Sequence, residues 1–185
     1  MAYLSRLHCA LLMAAFLYWP GGAVAGDGVI EKFFGSFSGH GTWGTGTMPR
    51  DINVVIQPPP SGFNVSWDTT SLRDPKNLKR KSHTLDFLKI RHENVFVSEK
   101  QKDRSDIPVS ANPMQGPMPK SPLIWARIKD NTLSLYAFDN TSDGRADVQA
   151  YHRTLNGDKM KLHFIRYLDG TPVKQTKGKM RRIDK

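Results

Sequence analysis

Few residues in this chain are placed to do chemistry, and most of their spacings fail the reactions they suggest. Gly39-His40-Gly41-Thr42-Trp43-Gly44 matches G-x-G-x-x-G. No apolar-periodic helix follows it and no strand–helix–strand unit surrounds it, so a dinucleotide's phosphates would find no helix N-terminus. Its glycines suit a strand that must bend sharply. Gly35-Ser36-Phe37-Ser38-Gly39 carries phenylalanine where a nucleophile elbow needs serine. His92-Glu93 lacks the second histidine of a zinc-protease helix. Asp139-Asn140-Thr141-Ser142-Asp143-Gly144 with Asp147 looks like the start of a calcium loop, but Ala150 stands where a bidentate glutamate is needed, and a polar hairpin loop is the better reading. His40, His83, His92, His152 and His163 show no ligand spacing. No catalytic residue, metal or cofactor is therefore assigned. An enzyme whose site is gathered by geometry alone ranks behind two kinds of binding.

The elements that would position a binding site are strands. Val29 to Phe34 suits a short helical turn, and almost every later segment alternates with period two. The strand pattern covers residues 36–43, 51–57, 63–67, 81–90 and 94–98, then 123–129, 132–138, 146–155, 159–168 and 173–183. Pro58-Pro59-Pro60-Ser61-Gly62, Asp130-Asn131, Asn156-Gly157 and Asp169-Gly170 punctuate it as turns. Consecutive short antiparallel strands without a long helix predict an all-β meander of about eight to ten strands, closing into a barrel or a strongly curled sheet. Residues 102–122 interrupt the meander with five prolines and two methionines. A lid over the barrel mouth and a solvated linker both fit such a loop.

Strand parity predicts what faces inward. Phe37, Trp43, Val54, Phe63, Val65, Trp67, Leu85, Phe87, Ile124, Ile128, Leu133, Leu135, Leu162 and Phe164 gather on one face. Following the same alternation brings in His152 after Val148 and Ala150, Arg166 after Phe164, and Arg182 after Met180. A basic group inside an apolar barrel needs an acidic side chain or an acidic ligand, because its desolvation is costly. Trp43 and Trp67 are thus expected as cavity walls, and His152 and Arg166 as ligand anchors. Tyr136, Gln149, Tyr151, Arg153, His163 and Tyr167 are expected on the outer surface.

The N-terminus and the charge bear on where the chain works. Arg6 precedes the uncharged apolar run Cys9–Trp19, Pro20-Gly21-Gly22 breaks it, and Ala23-Val24-Ala25 offers a small-residue cleavage site. This is the pattern of a signal peptide over residues 1–25, too short for a membrane span, and it predicts export to a periplasm or the cell exterior. Residues 26–185 then form one domain without cysteine, since Cys9 is the only one, and packing alone must hold it. Lys and Arg number 27 against 17 Asp and Glu, so the surface attracts anions. Arg73, Lys76, Lys79, Arg80 and Lys81 form the densest basic cluster, suited to anionic membrane or glycan; nucleic acid is not expected.

The opening strand Phe34–Trp43, with its Gly41-Thr42-Trp43, resembles that of the calycins: the lipocalin, fatty-acid-binding and nitrobindin-like barrels. The resemblance implies a binding barrel in which a basic residue of the last strand, Arg181 or Arg182 here, lies across Trp43 and closes the barrel. Lipocalin disulfides are missing, and the haem-binding histidine of nitrobindin-like proteins has no match. The first expectation is an exported barrel that binds a small hydrophobic or amphiphilic molecule, with an anionic group as one form of it. The alternative is a non-enzymatic envelope protein that binds anionic lipid or glycan through basic surface loops.

Overall fold

The structure, a computed structural model, describes residues 28–43, 48–59, 62–74, 76–90, 94–99 and 122–184; the side chains of Trp43 and Met48 are not among what it describes. The loop 102–121 and the segment 1–25 lie outside these residues. After a short helix α1 (Gly28–Glu31) come ten strands: β1 (Gly35–Trp43), β2 (Met48–Gln57), β3 (Phe63–Ser71), β4 (Lys79–Lys89), β5 (Val95–Ser98), β6 (Leu123–Lys129), β7 (Thr132–Asn140), β8 (Ala146–Asn156), β9 (Lys159–Leu168) and β10 (Thr171–Arg182). Each pairs antiparallel with its chain neighbour, and β1 pairs with β10, so the sheet is a closed barrel. The all-β meander with a helical turn before it is the architecture that the alternation predicted.

Close approach fixes the seam. Gly39 pairs with Met180 across β1 and β10, and a Cβ there would sit 2.1 Å from the Lys179 carbonyl oxygen. A Cβ on Gly41 would meet the Ile52 side chain at 2.6 Å. Gly39 and Gly41 of the G-x-G-x-x-G match therefore let two strands and a core side chain crowd together.

One end of the barrel is filled. Phe63 stacks on Phe87 with ring centroids 4.9 Å apart and meets Phe96 edge-on at 4.9 Å. Phe37, Ile56, Ile128, Leu133, Leu155 and Met160 complete this core. Helix α1 lies across the same end, burying Ile30 and Phe33. Lys32 reaches over to donate to the Asp130 carbonyl at 2.6 Å and the Asn131 side chain at 3.1 Å, in the β6–β7 turn. Arg182 donates to the Lys32 carbonyl at 3.0 Å and to that of Phe34, with its guanidinium 4.6 Å from the centre of the Phe37 ring. Arg182 thus closes the barrel, but not over Trp43. It pairs with Phe37, whereas Trp43 pairs with Thr176 at the far end of β1. Arg181 pairs with Ser38 and its side chain is exposed.

At the opposite end the hydrogen bonding is incomplete. The four-residue β5 meets β4 only from Phe87 to Lys89, so among the described residues Lys79–Asp86 pair with β3 alone. This end opens into a cavity.

Candidate functional site

The cavity has a volume of about 350 Å³ and descends from the open end in three tiers. Arg50, Thr69, Lys81, Gln149, Arg166 and Lys174 ring its mouth. Below them Ile52, Trp67, His83, Tyr151, Phe164 and Thr176 make an apolar and aromatic middle. Val54, Arg153 and Leu162 form the floor. Strand register sets these side chains beside one another: Trp67 pairs with His83 across β3 and β4, Tyr151 with Phe164 across β8 and β9, and Arg153 with Leu162 one pair deeper. The Trp67 and His83 rings stack at 5.1 Å, and Trp67 meets Tyr151 from the facing wall at 5.5 Å.

Arg153 is the unusual group. It is 1 % exposed, and its guanidinium lies 5.4 Å from the Trp67 ring centre and 5.8 Å from that of Tyr151. Its Nε and one terminal nitrogen are buried without a hydrogen-bond partner, and no carboxylate pairs with it among the described residues. Burial lowers its pKa to about 10, with Tyr151 opposing the shift, so it stays a cation at neutral pH. Cation–π attraction offsets part of the desolvation, by about 2 kcal/mol for each ring when the pair is dry. Burial also raises the Tyr151 pKa, which keeps that hydroxyl neutral. Thr176 adds a buried hydroxyl without a partner among the described residues, whereas the Tyr151 hydroxyl donates to Gln149 Oε1 at 3.2 Å.

The mouth is cationic too. Five basic side chains line the cavity (Arg50, Lys81, Arg153, Arg166 and Lys174) and no acidic one does. Lys174 has a lowered pKa, first through burial and then through Arg166, its pair across β9 and β10, and through Lys81 and Arg50, which line the same cavity. Arg166 differs: it donates from Nε to Asp147 Oδ1 at 2.9 Å and from a terminal nitrogen to Oδ2 at 2.7 Å, and this hydrogen bonding raises its pKa. A two-point arginine–carboxylate pair satisfies both charges.

The structure places the expected site residues unevenly. Trp67 is a cavity wall and Arg166 stands at the mouth, its charge answered by Asp147. The backbone of Trp43 ends β1 on the open side, while its ring is not among the described atoms. His152 is not in the cavity. It lies on the outer wall, where its Nδ1 is 2.9 Å from the Ser134 hydroxyl, its ring meets Tyr136 edge-on, and it pairs with His163. Burial and then His163 lower its pKa. The facing of β8 is thus the reverse of the sequence expectation, and Gln149, Tyr151 and Arg153, expected outside, line the cavity. The reason is that β8 has apolar residues on both faces, Val148 and Ala150 on one and Tyr151 and Leu155 on the other, so alternation alone does not orient it.

Arg73, Lys76, Lys79, Arg80 and Lys81 are all exposed at the open end. Lys79, Arg80 and Lys81 belong to β4 rather than to a loop, Arg80 pairs with Asp68 at 3.1 Å, and Lys81 also lines the mouth. A broader depression of about 450 Å³ lies on the outer wall between β1, β9 and β10. It contains no buried group lacking a partner, so the interior cavity is the candidate site.

No protein-family model matches the chain, and no curated protein does. Solved structures do. The S-type phycobiliprotein lyase CPES from Guillardia theta aligns with 84 % of this chain and 91 % of its own, at 13 % identity and a TM-score of 0.52. Rv2717c from M. tuberculosis aligns with 84 % of this chain and 95 % of its own, at 12 % identity and a TM-score of 0.48. At such identity the first likeness concerns the fold alone, a closed antiparallel barrel.

Proposed function

We propose that this protein is an exported binding barrel for a small amphiphilic molecule with an acidic group, held by its apolar body against Trp67, Tyr151 and Phe164 and by its acid on Arg153. The observation that carries this is a fully buried guanidinium at the floor of a cavity, without a carboxylate partner among the described residues. A cation kept out of water at a cost to folding makes sense if an anion joins it there. The volume falls within the range of small-molecule sites, and an apolar wall with a few convergent polar groups is their usual form. Export rests on the charge, apolar run and small residues of positions 1–25.

The direct test is native mass spectrometry of protein purified from its own host, followed by organic extraction. A discrete acidic lipid, pigment or similar amphiphile is expected. The chemistry is tested with dodecanoate and its methyl ester: the acid is expected to bind about 10–100-fold tighter, as one charged hydrogen bond allows, and Arg153→Met to abolish the difference. Equal binding of acid and ester to the unaltered protein would sink the assignment.

A further inference from the structure

Among the described residues, three large apolar side chains are conspicuously exposed: Leu78 at 55 %, Val173 at 50 % and Ile183 at 66 %. Two of these stand on the rim of the cavity. Leu78 immediately precedes β4, three residues before Lys81 of the mouth, and Val173 immediately precedes Lys174. Lys81 and Lys174 line the same cavity, so the two apolar tips flank one opening. Val173 lies where the β9–β10 register shifts, which frees it from the regular ladder.

The tips are set among cations. Residues 72–81 carry Arg73, Lys76, Lys79, Arg80 and Lys81 against Asp74 alone. Asp74 is occupied by the Lys76 backbone N–H at 3.0 Å, and nearby Asp68 by Arg80. Lysine on an unpaired strand edge also discourages edge-to-edge pairing, and among the described residues β4 has such an edge. That role does not account for Leu78 and Val173, which expose apolar surface on the same rim. Apolar tips surrounded by basic side chains match an anionic lipid surface: the tips enter the boundary of headgroup and acyl chain, and the cations meet the phosphates.

We infer that the open rim of the barrel docks on an anionic bilayer, with Leu78 and Val173 inserted and Lys76, Lys79 and Arg73 on the headgroups, so that the cavity mouth faces the membrane. This surface does not depend on the cavity reading. Only the corollary, that the ligand passes directly between bilayer and cavity, rests on it.

The test is cosedimentation of the protein with vesicles of phosphatidylcholine alone, or with about one third phosphatidylglycerol, at low salt and at about 1 M salt, where screening acts within about 3 Å. Binding is expected only with phosphatidylglycerol and is expected to fall steeply with salt. Lys76→Ser and Lys79→Ser are each expected to weaken it about fivefold. Leu78→Ser and Val173→Ser are each expected to weaken it about tenfold. Arg153→Met, which alters only the floor, is expected to bind vesicles normally, so loss of ligand binding and loss of docking are separable. No sedimentation with phosphatidylglycerol at low salt would overturn the inference. Equal binding to both vesicle types, unmoved by the four substitutions, would also overturn it and assign the binding to the apolar run Cys9–Trp19. Binding that ignores Leu78 and Val173 and is fully displaced by heparin would replace the bilayer with a polyanionic glycan.

Discussion

The two ends of this barrel share all of its long strands and their alternation, yet they are opposite in chemistry. At the closed end Phe33, Phe37, Phe63, Phe87 and Phe96 fill the interior, and Arg182 ties helix α1 down over them. At the open end the inward positions of the same strands carry Arg50, Lys81, Arg166 and Lys174 above an aromatic middle and a buried cation. Both ends hold an arginine against aromatic rings, and the difference is in its hydrogen bonds. Arg182 has backbone carbonyls to donate to, so its charge staples the structure together. Arg153 lacks such partners among the described residues, and folding alone gives no reason for its charge.

That contrast can be broken in order of expected size. Phe63→Ala, at the stacked centre of the closed end, is expected to cost about 3–5 kcal/mol in urea unfolding. A much smaller loss would mean the closed end is not the stability core. Arg182→Met removes the donors to Lys32 and Phe34 and is expected to cost about 2–3 kcal/mol, with faster amide exchange at Phe33 and Phe34 as the local sign. Unchanged exchange there would refute the staple.

Arg153→Met should act in the other direction. With the uncompensated cation replaced by an apolar chain, the ligand-free protein is expected to gain about 1 kcal/mol, or about 2–4 °C in Tm for a chain of this size. A destabilised variant would make Arg153 a structural group like Arg182. The gain should also depend on pH. The folded-state pKa of Arg153 is depressed to about 10, below the value in an unfolded chain. Below about pH 10 both states hold the proton and the desolvation cost is fully present. Above it the unfolded state binds more protons, so the stability of the unaltered protein rises relative to Arg153→Met and the gap between them narrows. A gap constant from neutral pH to pH 11 would contradict the buried charge. His152→Ala comes last: on the outer wall it loses one hydrogen bond with Ser134, worth about 1 kcal/mol, and dodecanoate affinity should stay within about twofold. A large loss of affinity would return His152 to the site.

The fold was legible because turns and period-two patterns are local. Asp130, Asp169, Gly157 and Gly170 do adopt positive φ at the turns where the meander reverses. The cavity was legible only in part. Trp67, Phe164 and Arg166 lie on strands whose apolar residues fall mostly on one face, with Ile165 the exception on β9, and parity placed them inward. β8 does not keep to one face, yet a signal for its orientation was present. The β8–β9 loop is Gly157-Asp158, so Leu155 faces Met160, Arg153 faces Leu162 and Tyr151 faces Phe164. Directly paired residues share a face, so the clear facing of Leu162 and Phe164 on β9 already required Tyr151 and Arg153 to point inward. Carrying register through the hairpin would have found Arg153 where alternation within β8 did not.

What the sequence by itself determined is a set of strands, their order and the facing of those with one apolar side, because these depend on side-chain alternation and on turn residues a few positions apart. What only the tertiary structure decided is which end is filled and which is open, that Arg182 meets Phe37 rather than Trp43, and that Arg166 has an acid while Arg153 lacks one among the described residues. Those facts depend on the closure of β1 on β10 and on walls as distant in the chain as β3 and β8 meeting across the interior. Whether a buried charge is answered is a property of the space around it, which alternation along a single strand cannot encode.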